Sequence, residues 1–162
     1  GAISQSRTMR SMARRADGEF TEWDAISMRY VGSSADLLPP DPQRPGRQRF
    51  WLKIDGELPD DPLVHAAAFA YASDMTIAGA ALAPHGYRLG GPDIMVASLD
   101  HTVWFHEPFR ADRWWLYDQH APRASGGRGL INSRVFTEDG RLVASTAQEA
   151  LLRKVRPKEE RG

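Results

Sequence analysis

Apolar residues along the chain change their spacing several times, and each change marks an element. From Glu22 to Val31, Trp23, Ile26, Met28 and Tyr30 alternate with other residues for much of the way, the period of a strand buried on one face. Gly32 to Gly46 interrupts that pattern with Pro39, Pro40, Pro42 and Pro45 and reads as a long irregular loop. Phe50, Leu52 and Ile54 then alternate with Trp51 and Lys53 as a second short strand, closed by Asp55-Gly56. The next stretch has a different character. From Leu63 to Leu82 apolar residues occupy nearly every face, which predicts one long, buried helix from Asp60 to Gly86. Asp61 can accept from the free N–H groups of its first turn, and Pro62 supplies helical φ without needing a partner for an N–H. Pro84-His85-Gly86 closes it.

Beyond Gly90-Gly91, Asp93 to His106 reads as a single strand carrying Ile94, Val96, Val103, Trp104 and Phe105. Trp114 to Tyr117 begin another, and Gly126, Gly127 and Gly129 punctuate the turn into Leu130, Ile131, Val135 and Phe136. Glu138-Asp139-Gly140 is a hairpin signal leading into a last strand that runs through Ala144 and Ala147 to Leu152. Strands joined by short turns pair antiparallel, and a large enough sheet curls round one helix. The expected fold class is α+β: one long central helix wrapped by an antiparallel sheet.

The 162 residues suit a single domain that needs no staples, and the absence of cysteine excludes a disulfide framework and a thiolate metal site. Lys+Arg and Asp+Glu both number 21, so no net field recruits nucleic acid. His65 and Asp74 inside the apolar run, together with its high alanine content, argue against a membrane span. Residues 1–20 are expected to be a linker or flexible arm; Arg7, Arg10, Arg14 and Arg15 with several serines and no early acid also resemble a transit peptide. Residues 21–155 form the domain and 156–162 a charged tail, and the expected setting is the cytoplasm.

Asp74 is the first candidate for chemistry, because a carboxylate inside an apolar helix is costly unless something pairs with it. A structural role, hydrogen-bonding a neighbouring turn, is the plain alternative. Other constellations are weaker. His101 and His106, five apart on a strand, point to opposite faces and make a poor metal pair. Ser145, His85 and Asp100 supply the residue types of a hydrolytic triad, but no serine sits in a Gly-x-Ser-x-Gly elbow. Trp104, Phe105, Trp114 and Trp115 read as sheet core. Arg110, Arg113, Arg123 and Arg128 lie near strand ends and turns, where arginine suits phosphate oxygens.

The run Ser98-Leu99-Asp100-His101-Thr102-Val103-Trp104-Phe105-His106-Glu107-Pro108-Phe109 resembles the signature of the acyl-CoA thioesterase II (TesB-like) family. Tyr71-Ala72-Ser73-Asp74, Pro84-His85-Gly86 and Val143-Ala144-Ser145-Thr146-Ala147-Gln148-Glu149 resemble it too, in the right order. The resemblance implies a double hotdog, two helix-in-sheet halves with the catalytic set in the C-terminal half, and this chain looks like that half alone. It carries the family's catalytic aspartate onto Asp74 and its glutamine onto Gln148. Ser98 stands where the family usually has threonine, keeping the hydroxyl but losing the methyl that stiffens the rotamer.

Thioester hydrolysis needs an activated water and donors for a developing oxyanion. On this reading Asp74, its basicity raised by desolvation, takes the water's proton, while Gln148 and Ser98 orient the same water. The implied substrate is acyl-CoA, cleaved to free fatty acid and coenzyme A without metal or other cofactor. The implied partner is a second hotdog half, either an N-terminal half of the same protein or a second copy. A non-catalytic acyl-CoA-binding or regulatory module is the competing reading. A hydratase would want a histidine or second acid for proton abstraction.

Overall fold

The computed structural model describes residues 25–155. Trp23, the arm over residues 1–20 and the tail over 156–162 lie outside them. Strands β1 (Ile26–Ser33) and β2 (Gly46–Ile54) come first, followed by helix α1 (Pro62–Asp74) and a short helix α2 (Gly79–Leu82). Five strands follow: β3 (Ile94–Ser98), β4 (Thr102–Phe105), β5 (Trp115–Ser125), β6 (Arg128–Thr137) and β7 (Leu142–Lys154). They form one antiparallel sheet in the order β1-β2-β5-β6-β7-β3, with β4 also on β7. The helical segment lies against its inner face. This is the helix-in-sheet arrangement expected from the sequence.

The predicted long helix is broken. Its start is as read, with Asp61 accepting from Leu63 N at 2.9 Å and Pro62 in the first turn. Its end is as read too, with Gly86 in the left-handed region at φ 74° after a single 3-10 turn. Between them, α1 stops at Asp74. The Ser73 carbonyl accepts from the Tyr117 hydroxyl at 3.1 Å and the Thr76 carbonyl from Gln48 Nε2 at 3.1 Å, so sheet side chains engage carbonyls that a continuing α-helix would use. The backbone tightens to i→i−3 bonds, Gly79 N to Thr76 O and Ala80 N to Ile77 O, before α2 forms.

Burial corrects the sequence reading in a second way. On α1 only His65, Phe69, Ala72 and Ser73 are buried, a single face at i, i+4, i+7 and i+8. Leu63, Ala67, Tyr71 and Asp74 lie on the opposite, exposed face. The apolar length of Pro62–His85 would suffice to cross a membrane, but 61 % of its most apolar window is buried inside this domain. Of the four aromatics assigned to the core, only Trp115 is fully enclosed, edge-on to Phe69 at 5.0 Å. Trp114 lies under Arg29 at 4.1 Å, while Trp104 and Phe105 are exposed.

The single strand predicted over Asp93 to His106 is two. Ser98 stands opposite Ala150 and Thr102 opposite Ala147, so this strand spends four residues where β7 spends three. The extra residue is a bulge, and it shifts the side-chain alternation by one place. Leu99 N donates to Glu149 O at 2.9 Å and the Asp100 carboxylate accepts from Glu149 N at 2.8 Å, which holds the bulge against β7.

Arg110 ties the segment before α1 to the segment before β5. It grips Asp112 with two bonds, Nε to Oδ1 at 2.9 Å and Nη2 to Oδ2 at 2.7 Å, and also contacts Asp60 and the Leu58 carbonyl. Arg110 is thus engaged as a structural clamp. Its guanidinium holds the Asp112 carboxyl well below the usual carboxylate range, against burial acting the other way, with Leu58 N adding a bond at 2.9 Å.

Two stability predictions follow from this packing. A depressed folded-state pKa means that the unfolded chain takes up a proton which the folded chain refuses. Asp112 therefore stabilises the fold above the ordinary carboxylate pKa of about 3.9, and this contribution is lost as pH falls toward its folded value. The urea midpoint should drop across that acid range, and Arg110→Gln should be less stable at neutral pH with a flatter acid dependence. At Gly46 an added Cβ would lie 2.8 Å from the Ala80 carbonyl oxygen and 2.9 Å from Ala121 Cβ. Gly46→Ala should push α2 off the sheet and cost about 1–3 kcal/mol, read as a lowered urea midpoint.

Candidate functional site

The end of α1, the end of β3 and the middle of β7 meet at one place, where Asp74, Ser98 and Gln148 are joined by hydrogen bonds. Ser98 Oγ donates to Asp74 Oδ1 at 2.8 Å, and Gln148 Nε2 donates to Ser98 Oγ at 2.9 Å. An ionised carboxylate only accepts, so the single hydroxyl proton of Ser98 goes to Asp74 and the serine oxygen must accept from the amide. This orders the three residues in one direction. It also compensates for the missing threonine methyl, because two bonds now hold the serine rotamer.

Asp74 and Ser98 are exposed, whereas Gln148 is only 1 % exposed and stands behind Ser98. The burial expected of Asp74 is therefore absent in this chain: Asp74 falls on the exposed face of α1, in line with Leu63, Ala67 and Tyr71. Tyr71, one turn before Asp74 on α1, is exposed, whereas Met95 and Trp104 are exposed on the sheet face opposite Gln148, paired with Arg153 and Ser145.

Beneath the site is a second tier of polar groups. The Tyr117 hydroxyl, fully buried, donates to Ser73 O and shares a 2.9 Å bond with Thr146 Oγ1, which in turn contacts Ser133 Oγ at 2.6 Å. Burial pushes the Tyr117 phenol up to about 12, so it remains a protonated donor at any physiological pH and fixes the backbone at Ser73-Asp74. Gln119 Nε2 adds a bond to Thr76 Oγ1 at 2.8 Å.

His101 is a site residue that the sequence reading weighed only as a metal ligand, paired with His106. The bulge turns it toward Gln148, with Nδ1 2.5 Å from Gln148 Oε1 and Nε2 2.8 Å from Ser73 Oγ. Its neighbour in the sequence argument, His106, is exposed and bonds Ser145 Oγ at 2.8 Å. The paper triad of Ser145, His85 and Asp100 does not assemble: Ser145 pairs with His106, Asp100 with the Glu149 backbone, and His85 lies in the 3-10 turn. A pocket of about 540 Å³ lies at the other end of α1, lined by Leu63, His65, Phe105 and Phe109 among others. Its lining on α1 runs from Pro62 to Ala66, roughly 12–18 Å along the helix from Asp74, so it is not the immediate surroundings of the carboxylate.

Comparison with known proteins bears on the family and the fold. The sequence model of the acyl-CoA thioesterase family matches residues 41–151. The chain is 42 % identical over 110 residues to acyl-coenzyme A thioesterase 8 of Mus musculus, covering 66 % of this chain and 33 % of that protein. It is 39 % identical over 109 residues to acyl-CoA thioesterase 2 of Haemophilus influenzae, covering 67 % and 38 %. It thus spans about a third of the length of these relatives. Among solved structures, acyl-CoA thioesterase II TesB2 from Mycobacterium marinum superposes with a TM-score of 0.73 at 40 % identity, over 96 % of this chain and 59 % of that one. A protein with a hot dog fold from Alicyclobacillus acidocaldarius, 21 % identical, superposes with a TM-score of 0.62 over 97 % and 56 % and shows the same fold. Since the family model matches well over half of the residues, and relatives and fold agree with it, the chain belongs to the acyl-CoA thioesterase family.

Proposed function

We propose that this chain carries the hydrolytic site of an acyl-CoA thioesterase, releasing free fatty acid and coenzyme A, and corresponds to the C-terminal half of a double hotdog. The observation that carries this reading is the directed Gln148–Ser98–Asp74 hydrogen-bond series, with Asp74 and Ser98 reaching the surface, in a member of this family.

Asp74 is the general base. Its Oδ1 is held by Ser98, and Oδ2 remains for a water that attacks the thioester carbonyl. As the water oxygen bonds to the carbonyl carbon, its proton passes to Asp74 and charge gathers on the former carbonyl oxygen. Collapse of that intermediate breaks the carbon–sulfur bond, and the departing thiolate takes the proton back from Asp74. Ser98 positions the carboxylate and borders the same water. Gln148, buried behind it, acts by holding the serine oxygen, a more indirect role than orienting the water itself.

A second hotdog completes the site. Leu63 and Tyr71 leave the open face of α1 uncovered, and β3 and β4 lie beyond β7 as a strand edge with no further partner among the described residues. A partner seated there would exclude water from around Asp74, supplying the desolvation that this chain alone does not. The partner is an N-terminal half of the same protein or a second copy of this chain.

Thiol release from acyl-CoA substrates of varied chain length tests the activity. Asp74→Asn should lower turnover by roughly two to four powers of ten while leaving the unfolding midpoint nearly unchanged, because the carboxylate is exposed. Ser98→Ala and Gln148→Ala should each reduce turnover, and combine with Asp74→Asn less than additively. An Asp74→Asn protein that binds acyl-CoA and hydrolyses it at the original rate would reverse the assignment; binding without hydrolysis in the unaltered protein would favour the binding-module reading. Light scattering should find the active species paired, and a fully active monomer of this chain would count against the partner.

A further inference from the structure

We infer that His101 is a positioning residue whose Nδ1 proton sets the direction of the whole hydrogen-bond series ending at Asp74. The inference rests on the hydrolytic reading for its consequence but on geometry for its content.

The argument is one of counting protons. Asp74 accepts, Ser98 gives it the only hydroxyl hydrogen, and Gln148 must therefore turn its Nε2 toward Ser98. The amide has then only its Oε1 to offer on the other side, and His101 Nδ1 stands 2.5 Å from it. An oxygen lone pair facing a nitrogen lone pair at that distance is repulsive, so Nδ1 carries the hydrogen. In the neutral ring Nε2 then accepts from Ser73 Oγ at 2.8 Å. In the charged ring Nε2 donates to Ser73, whose hydroxyl has the Ala70 carbonyl at 3.1 Å as its own acceptor. Both states keep a hydrogen on Nδ1 and leave Gln148 facing the same way.

Only the neutral Nε2–H tautomer changes the outcome. It would present a lone pair to Gln148 and flip the amide, so that Oε1 faced Ser98 and competed with Asp74 for the serine proton. Ser73 serves either state, since its buried hydroxyl can give its hydrogen to Nε2 or to the Ala70 carbonyl; what disfavours the Nε2–H tautomer is the demand of Ser98 and Asp74 for an N–H from Gln148. The bulge between β3 and β4 is what brings the ring into line. With regular alternation the residue facing Gln148 would be Asp100; the extra residue, clamped by Leu99 N and the Asp100 carboxylate on Glu149, puts His101 there. The ring touches neither Asp74 nor Ser98, so it acts through Gln148.

Nitrogen-15 NMR of the labelled protein reads the imidazole directly, with His101 assigned by its disappearance in His101→Asn. At neutral to mildly alkaline pH the spectrum should show a protonated Nδ1 and an unprotonated Nε2, and a neutral ring protonated on Nε2 would overturn the inference whether or not the protein hydrolyses anything. Kinetics provides the second arm. His101→Leu should lower kcat roughly 10- to 100-fold, the usual scale for a supporting partner behind a catalytic group, with little change in KM. His101→Asn, whose side-chain amide N–H occupies the place of Nδ1–H, should recover most of that loss. In a Gln148→Ala background His101→Leu should cost little more. Equal losses in the Leu and Asn variants, or full additivity with Gln148→Ala, would make His101 merely structural. Those results leave Asp74 as base untouched, whereas an active Asp74→Asn protein removes the base and leaves the tautomer assignment standing. If His101→Leu fails to fold, His101→Asn and the spectrum still decide.

Discussion

The Ser73 and Thr76 carbonyls accept hydrogen bonds from Tyr117 and Gln48, and the arrangement of the site depends on that exchange. A helix that continued through this region would need both carbonyls for its own i→i−4 bonds. Sheet side chains capture its carbonyls, so α1 ends at the carboxylate and α2 starts afresh on a tighter path. Tyr117 can hold this place because its own environment is dry. Burial pushes the phenol up to about 12, and Thr146 and Ser133 satisfy its oxygen.

From that fixed helix end the site is built by the sheet. β7 contributes Gln148 from a buried position, β3 contributes Ser98 from an exposed one, and the bulge between β3 and β4 contributes His101. Each side chain is rotationally free on its own and is held here by two partners. Held in this way the series costs little reorganisation when a water or substrate arrives, which is the advantage of polar groups preorganised before reaction.

The exposure of Asp74 changes how the chemistry is divided within the family's architecture. Local packing sets the direction of the hydrogen bonds, while Asp74 itself stays open to solvent in this chain. A chain spanning about a third of its relatives' length thus holds an ordered polar series ending at an exposed carboxylate.

The sequence by itself determined the elements whose signals are local. Alternation marked β1, β2 and β5 to β7, Asp61-Pro62 and Gly86 marked the helix limits, and separated motifs pointed to Asp74, Ser98 and Gln148 and to the family. The tertiary structure decided what local signals do not encode. An apolar run reads as a continuous buried helix because nothing in it reveals that Tyr117 and Gln48, brought from distant strands, will take its carbonyls. Burial of Asp74 was misread for the same reason, since exposure is a property of packing and not of the neighbouring residues. His101 was weighed only as a metal ligand, and what it faces depends on the register of its strand. A bulge of one residue, fixed by Asp100 against β7, reverses the facing of every side chain after it, and whether a strand bulges is settled by its partner strand.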